Sequence, residues 1–215
     1  MSTANDTEVR TGSDDGTLDT PESTPHSPFD ARRGSERGAL FTYTVAALGI
    51  ALFVRFFIAA PYVVSGASME PNFHHWDYLI TDRVSYRFDE PARGDIVVFR
   101  LPHEPSRTLI KRVVGLPGET VILDARGVTI QNAEHPNGFA LPEPYLSEKN
   151  RGGLVPSTVT LGEEEFFVLG DNRRVSSDSR VWGALPRENI VGRVLLRLFP
   201  FTDIELFPGS PQRNS

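Results

Sequence analysis

The sequence predicts a mainly β, antiparallel domain that follows one transmembrane helix, and two patterns support this. Residues 39–60 are almost wholly apolar. At about 1.5 Å per helical residue, this run can cross a hydrocarbon core of roughly 30 Å. Beyond Pro61, short runs of Val, Ile, Leu and Phe alternate with Gly, Pro and Asp, which is typical of short strands joined by turns. A length of 215 residues suits one principal domain.

The segments on either side of the apolar run predict its orientation. Residues 1–38 are rich in Ser, Thr, Asp, Gly and Pro, a composition that predicts a disordered tail. Three arginines between positions 32 and 37 precede the run, whereas the first basic residue after Arg55 is Arg83. By the positive-inside rule, the tail is predicted to be cytoplasmic and the large domain extracytoplasmic. Arg55 lies near the end of the run, where its long side chain can reach the lipid headgroups.

The predicted β domain spans residues 61–207 and is followed by a C-terminal tail, 208–215. Its strands are predicted at 62–66, 94–99, 108–114, 119–123, 127–130, 165–171 and 189–198. Residues 124–160 are rich in Pro, Gly and Asn, and we interpret them as an insertion or small subdomain outside the core.

Composition excludes several classes of function. A formal charge of −6 and a pI near 5.4 argue against nucleic-acid binding, which requires clustered basic residues. The absence of cysteine excludes disulfides, thiolate catalysis and Cys-ligated metal centres. The five histidines form no His-Glu-x-x-His pattern. We therefore predict neither a metal nor a cofactor.

Lysine usage singles out one position. Of the 22 basic residues, only Lys111 and Lys149 are lysines. A position that keeps Lys against this bias is a candidate for chemistry that needs a cation able to lose its proton. Strand alternation places Lys111 on one face with Leu109 and Val113, and burial beside apolar neighbours lowers the pKa of an amine. Lys111 is therefore a candidate general base, although a surface lysine at a strand edge fits the pattern as well.

Two further segments could complete a catalytic site. Ser68 follows a predicted strand and a small-residue turn that could expose its hydroxyl. The polar loop 170–183 comes directly after another strand and contains several hydroxyls. Within it, Asp178 and Arg180 are close enough in sequence to pair. A solvated loop is an equally good interpretation of this composition.

Together these segments resemble the sequence boxes of type I signal peptidases, in the same order and after an N-terminal anchor. Ser-Met-Glu-Pro at 68–71 resembles the nucleophile box, and Gly-Asp-Ile-Val-Val-Phe at 94–99 resembles a conserved strand of the family. Lys-Arg-Val-Val-Gly-Leu-Pro-Gly-Glu at 111–119 is similar to the lysine box, and 170–180 resembles the last box. The resemblance covers roughly residues 40–198 and is strongest to the compact, single-anchor, Gram-positive-like form.

This resemblance implies a serine endopeptidase with Ser68 as nucleophile and Lys111 as general base. It implies supporting roles for Ser176, which would hydrogen-bond Lys111, and for an ion pair between Asp178 and Arg180. Arg112 and Gly66 are also implied as supporting residues. Gly66 stands where some members of the family have a serine that completes the oxyanion hole, so the backbone N–H of Ser68 is the only donor that the sequence identifies.

The resemblance also implies substrates and a location. The substrates would be secretory preproteins, whose signal peptides carry small residues one and three positions before the cut and bind as an added β-strand. The implied pocket-lining residues are Val64, Ile110, Tyr62 and Leu109. The lipid bilayer and the protein-export machinery are further expected partners, nucleic acid is not, and the expected location is the bacterial plasma membrane.

Three other functions remain open from sequence alone. A Ser-His-Asp hydrolase could use His74 or His75, the histidines nearest to Ser68 in sequence. A self-cleaving Ser-Lys protease of the repressor type would share the dyad and a β-rich fold. A membrane-tethered β module that scaffolds partners would need neither Ser68 nor Lys111 for chemistry.

Overall fold

The computed structural model describes residues 29–53 and 59–209, which form one long helix followed by a mainly β region. Helix α1 (Phe29–Phe53) crosses the boundary between the two units into which the chain divides, Met1–Ala46 and Ala47–Ser215. It begins within the predicted tail. The predicted span 39–60 is helical over 39–53 and becomes a strand at Ala59, and Arg55 lies outside the described residues.

Within the described ranges, no helix combines the length and the apolar character needed to cross a membrane.

Twelve strands follow in the described part of the chain, and all of their pairings are antiparallel, as predicted. They are β1 (Ala59–Val63), β2 (Tyr78–Asp82), β3 (Ile96–Leu101), β4 (Glu104–Gly115), β5 (Thr120–Asp124), β6 (Gly127–Gln131), β7 (Phe139–Ala140), β8 (Ser157–Thr160), β9 (Glu165–Leu169), β10 (Leu185–Pro186), β11 (Ile190–Phe199) and β12 (Glu205–Leu206). A short helix, α2 (Ser179–Trp182), lies between β9 and β10.

The larger sheet has the order β1-β2-β11-β3-β4-β9-β10, and β12 pairs with β11. Its central strand β3 has four consecutive buried residues, 96–99, because both of its faces are covered. Ile96 and Val98 pack into one apolar cluster, and Val97 and Phe99 pack into another. Because successive side chains of a strand point to opposite faces, β3 contributes residues to both apolar clusters.

The smaller sheet has the order β7-β6-β5-β8 and contains most of the regular structure between residues 124 and 160. The prediction that this segment lies outside the core is wrong for Val128 and Ile130, which are fully or almost fully buried. Both pack with Val121 of β5 and with Phe167 and Leu169 of the larger sheet. The segment is thus a second sheet with a shared hydrophobic core, because alternate residues of β5 and β6 are apolar.

Candidate active site

Ser68 lies on a tight loop between β1 and β2. The backbone N–H groups of Asn72 and Phe73 donate to the carbonyl of Met69 at 3.1 and 3.0 Å, which closes a turn directly after the serine. Met69 and Phe73 are buried in the core beneath this turn. Ser68 itself is partly exposed. Two buried apolar side chains thus fix a loop whose hydroxyl faces outward.

Lys111 reaches Ser68 from the middle of β4. The cross-strand register places Lys111 opposite Val97 and Leu109 opposite Phe99, so the predicted alternation is the observed one. The Lys111 Nζ donates to Ser68 Oγ at 2.9 Å and to the carbonyl of Ile110 at 2.7 Å. Only 2% of Lys111 is exposed. A buried amine therefore lies within hydrogen-bonding distance of an accessible hydroxyl.

The burial of Lys111 changes its titration. Desolvation is the largest effect and lowers the pKa of the amine from 10.5 to about 8, because burial disfavours the charged form. The carboxylates of Asp178 and Asp171 act in the opposite direction, and Arg107 lowers the pKa slightly further. The amine is thus neutral in a useful fraction of molecules near neutral pH, as a general base must be.

The loop after β9 closes the site on its other side. The N–H of Asn172 donates to the carbonyl of Ser68 at 3.0 Å. A Cβ at Gly170 would lie 2.2 Å from Ser176 Oγ and 2.5 Å from the Ser68 carbonyl oxygen, so this position has no room for a side chain. The predicted hydrogen bond from Ser176 to Lys111 is not observed, and the buried Ser176 Oγ has no partner among the described residues.

Asp178 and Arg180 pair as the sequence predicts. The guanidinium of Arg180 donates to the two carboxylate oxygens of Asp178 at 2.7 and 2.9 Å. Asp178 is fully buried and also accepts from the N–H of Gly170 at 3.0 Å. Arg180 Nη2, which makes the 2.9 Å bond to Asp178, also donates to the carbonyl of Ser176 at 3.3 Å. The ion pair thus holds the backbone beside Lys111.

Arg112, next to the base, points away from it because successive residues of a strand face opposite sides. It is fully buried and donates to both carboxylate oxygens of Asp171, at 2.8 and 2.7 Å. Asp171 also accepts from the amide of Asn72 at 2.8 Å. The pair therefore ties β4 to the nucleophile loop and to the loop after β9.

A cleft of about 210 Å³ opens beside the dyad. All four residues predicted to bind substrate line it: Tyr62, Val64, Leu109 and Ile110. Its remaining lining residues are Val63, Ser65, Ser68, Leu79, Val98, Thr108 and Lys111. The cleft runs between the end of β1 and the middle of β4, so backbone groups of two strands flank a largely apolar channel.

Neither candidate histidine is part of this arrangement. His75 Nδ1 accepts a hydrogen bond from the N–H of Gly66 at 3.3 Å, and His74 is exposed. In the described ranges, no hydrogen bond joins a histidine to Ser68. Gly66 has a φ of +96° and is exposed, so it shapes the turn before Ser68 and contributes no side-chain donor.

Several residues of the site have no signal in the sequence. Asp171 lies in the last box without a role that its position or the resemblance implies, and no pattern marks its partner Asn72. Glu143, Tyr145 and Asn150 come from the segment interpreted as an insertion, yet they contact the loops that carry Ser68 and Asp171. These contacts join residues far apart in sequence, and a single sequence carries no local pattern for them.

Comparisons with known proteins agree on one family. The model of the family "Signal peptidase, peptidase S26" matches residues 37–199, which is more than half of the chain. A probable signal peptidase I-1 of Synechocystis sp. is 39% identical over 73% of this chain and 79% of its own length. A signal peptidase I of Leptolyngbya laminosa is 37% identical over 84% of this chain and 90% of its own.

A solved signal peptidase I from Enterococcus faecalis V583 is 33% identical, covers 49% of this chain and 97% of its own, and has a TM-score of 0.41. The assignment rests on the family model and the two sequence relatives. The chain belongs to the signal peptidase family, peptidase S26, and is an enzyme that hydrolyses peptide bonds.

Proposed function

We propose that this enzyme removes signal peptides from exported preproteins with Ser68 as nucleophile and Lys111 as general base. The observation that carries the proposal is the 2.9 Å contact between Lys111 Nζ and Ser68 Oγ, made by an amine that is almost fully buried. The relatives named as signal peptidases supply the substrate class.

The chemistry follows from the proton positions. Neutral Lys111 accepts the hydroxyl proton as Ser68 Oγ attacks the scissile carbonyl, and the Ser68 N–H stabilises the oxyanion. The Lys111 ammonium then donates that proton to the leaving amine, and an acyl ester on Ser68 remains. A water molecule then attacks the ester while Lys111 accepts a proton from that water. As the ester bond breaks, the Lys111 ammonium returns the proton to Ser68 Oγ, and the signal peptide is released.

The supporting residues act on the geometry of this dyad. The Asp178–Arg180 pair bonds to the N–H of Gly170 and to the carbonyl of Ser176, so it fixes the loop that closes the site. Arg112 holds the same loop through Asp171 from the opposite face of β4. We assign Ser176 the role of filling this space beside the dyad, since its hydroxyl is next to Gly170.

Substrate binds along the cleft as an extended strand. Its backbone pairs with the strands on either side, while its small side chains enter pockets lined by Val64 and Ile110. Tyr62 and Leu109 line the same cleft and are assigned to neighbouring positions of the peptide.

We further propose that the apolar run from residue 39 up to the strand that begins at Ala59 anchors the enzyme in the bacterial plasma membrane, with the N-terminus cytoplasmic and the peptidase domain outside. Along α1, Leu40, Phe41, Leu48 and Ile50 are exposed, an arrangement that is unfavourable in water and favourable in lipid. Arginines precede this run. Contact with the protein-export machinery would follow from this location.

Two substitutions test the dyad. Ser68→Ala removes the nucleophile, and Lys111→Arg keeps a cation that cannot act as a base. Each is expected to abolish cleavage of a synthetic peptide that spans a signal-peptide cleavage site, measured with the full chain in detergent. Ser157→Ala, on an exposed strand, and Lys149→Arg, at the other lysine, are matched controls that should retain wild-type rates.

Each competing function predicts a different result. Substantial turnover by Ser68→Ala or Lys111→Arg would exclude the proposed dyad. Loss of activity in a His74/His75 double alanine variant, with Lys111→Arg still active, would indicate a Ser-His-Asp hydrolase instead. Absence of any cleavage by the wild-type chain would favour a scaffolding module.

A further inference from the structure

Asn150 joins the nucleophile loop to the loop after β9. Its side-chain amide donates to the carbonyl of Glu70 at 2.6 Å, although the two residues are 80 positions apart. Its own carbonyl accepts from the N–H of Arg173 at 3.2 Å. Asn150 is 6% exposed. One buried residue therefore bonds to the chain two positions after Ser68 and to the loop that closes the site.

The surrounding segment strengthens this connection. The Tyr145 carbonyl accepts from the amide of Asn72 at 3.0 Å, which is a second contact to the nucleophile loop. Glu143 forms a buried ion pair with Arg173 and accepts from the Tyr145 hydroxyl at 3.0 Å. Residues 143–150 thus contact both loops from outside the large sheet, and none of these contacts belongs to the roles implied by the resemblance.

We propose that Asn150 is a positioning residue for Ser68, which rests on the proposed function of this site. Ser68 is fixed from below by Met69 and Phe73, from the side by Asn172, and beyond the turn by the Asn150 amide. An amide is suited to this position because it is neutral and offers a donor to the Glu70 carbonyl. The segment 143–150 therefore sets the distance between the nucleophile and its base.

Asn150→Ala removes the donor to Glu70 and leaves the backbone bond to Arg173 in place. We expect kcat to fall about tenfold, the effect of one buried hydrogen bond, with KM within about twofold of wild type. The acid limb of the pH profile should not move, because Lys111 keeps its surroundings. The assay uses the full chain in detergent, well below the midpoint of thermal unfolding of each variant.

A matched control and a second variant make this result specific. Asn132→Ala removes a side chain that caps a turn in the smaller sheet, and it should retain the wild-type kcat. Asn150→Asp keeps the shape but places a carboxylate oxygen opposite the Glu70 carbonyl. It should therefore lower kcat at least as much as Asn150→Ala, and it tests the same contact if the alanine variant does not fold.

Three outcomes would overturn the proposal. The first is a kcat of Asn150→Ala equal to that of Asn132→Ala, and the second is an effect confined to KM. The third is loss of folding in both Asn150 variants, because Asn150 would then be purely structural. If Ser68→Ala and Lys111→Arg abolish cleavage while the Asn150 variants keep the wild-type kcat, only this inference fails. If those two variants stay active, the proposed function fails first.

Discussion

Lys111 must be neutral to act as a base near neutral pH, although a lysine in water is protonated there. A lysine in solvent is almost fully protonated at neutral pH, and a protonated amine cannot accept a proton from serine. Burial on a strand face beside Val97 removes the solvent that stabilises the cation, and it lowers the pKa to about 8. Arginine at this position would remain charged, which is the physical reason for a lysine here in a chain whose other basic residues, apart from Lys149, are arginines.

The pH dependence of cleavage should report this amine. Because only neutral Lys111 accepts the proton, kcat/KM is expected to rise with pH and to level off above about pH 8, the pKa of the free enzyme's base. The measurement is a rate profile from pH 6 to 10 with a peptide substrate that does not titrate in this range. A profile that is flat between pH 6 and 9 would contradict the assignment of Lys111 as base.

Arg107 offers a way to move this limb without touching the dyad. It is exposed, its weak partner is Glu104 at 3.7 Å, and its charge lowers the pKa of Lys111. Arg107→Ala should therefore raise the pKa of Lys111 and move the acid limb to higher pH, an effect that shrinks as salt screens the charge. Arg126→Ala, in the smaller sheet, is the control. A shift to lower pH would contradict the prediction.

The same burial has a cost in stability. Below pH 8, Lys111 is charged in both the folded and the unfolded chain, so burial of the ammonium lowers the free energy of unfolding by its full amount. Between pH 8 and 10.5 only the unfolded chain holds the proton, so stability rises with pH and the cost disappears. Lys111→Met should thus be more stable than wild type at pH 7, by up to about 3 kcal/mol.

Urea unfolding at pH 7 and pH 9.5 checks this expectation. The difference in the free energy of unfolding between Lys111→Met and wild type should be larger at pH 7 than at pH 9.5. Lys149→Met, at the exposed lysine, should show no such change with pH. A methionine variant that is less stable than wild type at pH 7 would mean that the bond to Ser68 outweighs the cost of burial.

At the scale of elements, the turn after β9 is as constrained as the catalytic strand. β9 ends at Leu169, and the chain must then pass between Ser176 and the carbonyl of Ser68. Backbone at Gly170 therefore comes closer to both than any Cβ allows. The sequence box that begins at this glycine thus has a steric requirement at its first position, in addition to the polar residues that follow it.

Gly170→Ala should separate the two loops. The new Cβ would lie within 2.5 Å of Ser176 and of the Ser68 carbonyl, so the nucleophile loop must move away from Lys111. We expect kcat to fall by at least about a hundredfold, since misplacement by about 1 Å has effects of that size. Gly162→Ala is the control, because its Cβ would meet only the flexible end of Glu165. An active Gly170→Ala would mean that the loop adapts.

Strand periodicity explains how much of this arrangement could be predicted. Alternation in β4 placed Lys111 on an apolar face and Arg112 on the other, because a period of two is a local property of the chain. The pairing of Asp178 with Arg180 is equally local. The contacts of Asn150 and Tyr145 are not, since they join segments more than 70 positions apart through backbone carbonyls that any residue could supply. Periodicity therefore predicts the strand face that carries Lys111, the family resemblance supplies its pairing with Ser68, and neither predicts the contacts of Asn150 and Tyr145.

Composition was a weaker guide to element boundaries. Pro, Gly and Asn in 124–160 predict an insertion or small subdomain outside the core. They mark the turns between β6, β7 and β8, but Val128 and Ile130 of the predicted strand at 127–130 belong to the core. The helix starts at Phe29, in a segment whose composition predicted a disordered tail.

At the scale of the whole peptidase region, one buried cation joins parts of the chain that are distant in sequence. Arg112 donates to the carbonyls of Gly94 and Gly209 at 3.0 and 2.5 Å, in addition to its two bonds with Asp171. Its guanidinium also lies 3.8 Å from the centre of the Tyr145 ring. The strand that carries the base, the closing loop, the 143–150 segment and the end of the described chain therefore meet at one side chain.

This arrangement predicts strong coupling between Arg112 and Asp171. Arg112→Met leaves an unpaired buried carboxylate, and Asp171→Asn leaves an unpaired buried guanidinium, so each is expected to lower the free energy of unfolding by about 3–5 kcal/mol. The double variant removes both charges and should lose clearly less than the sum of the two. Urea unfolding of the four proteins in this cycle gives the coupling energy directly.

The exposed pair Arg126 and Asp124 provides the matched cycle, because its arginine side chain is 92% exposed and its partner is partly exposed. Arg126→Met, Asp124→Asn and the double variant should show little change in the free energy of unfolding and no clear coupling, since solvent screens an exposed pair. Equal losses in both cycles would contradict the importance of burial for Arg112. Additive losses at Arg112 and Asp171 would mean that the guanidinium is held mainly by the Gly94 and Gly209 carbonyls and by the Tyr145 ring, so that the closing loop is anchored independently of β4.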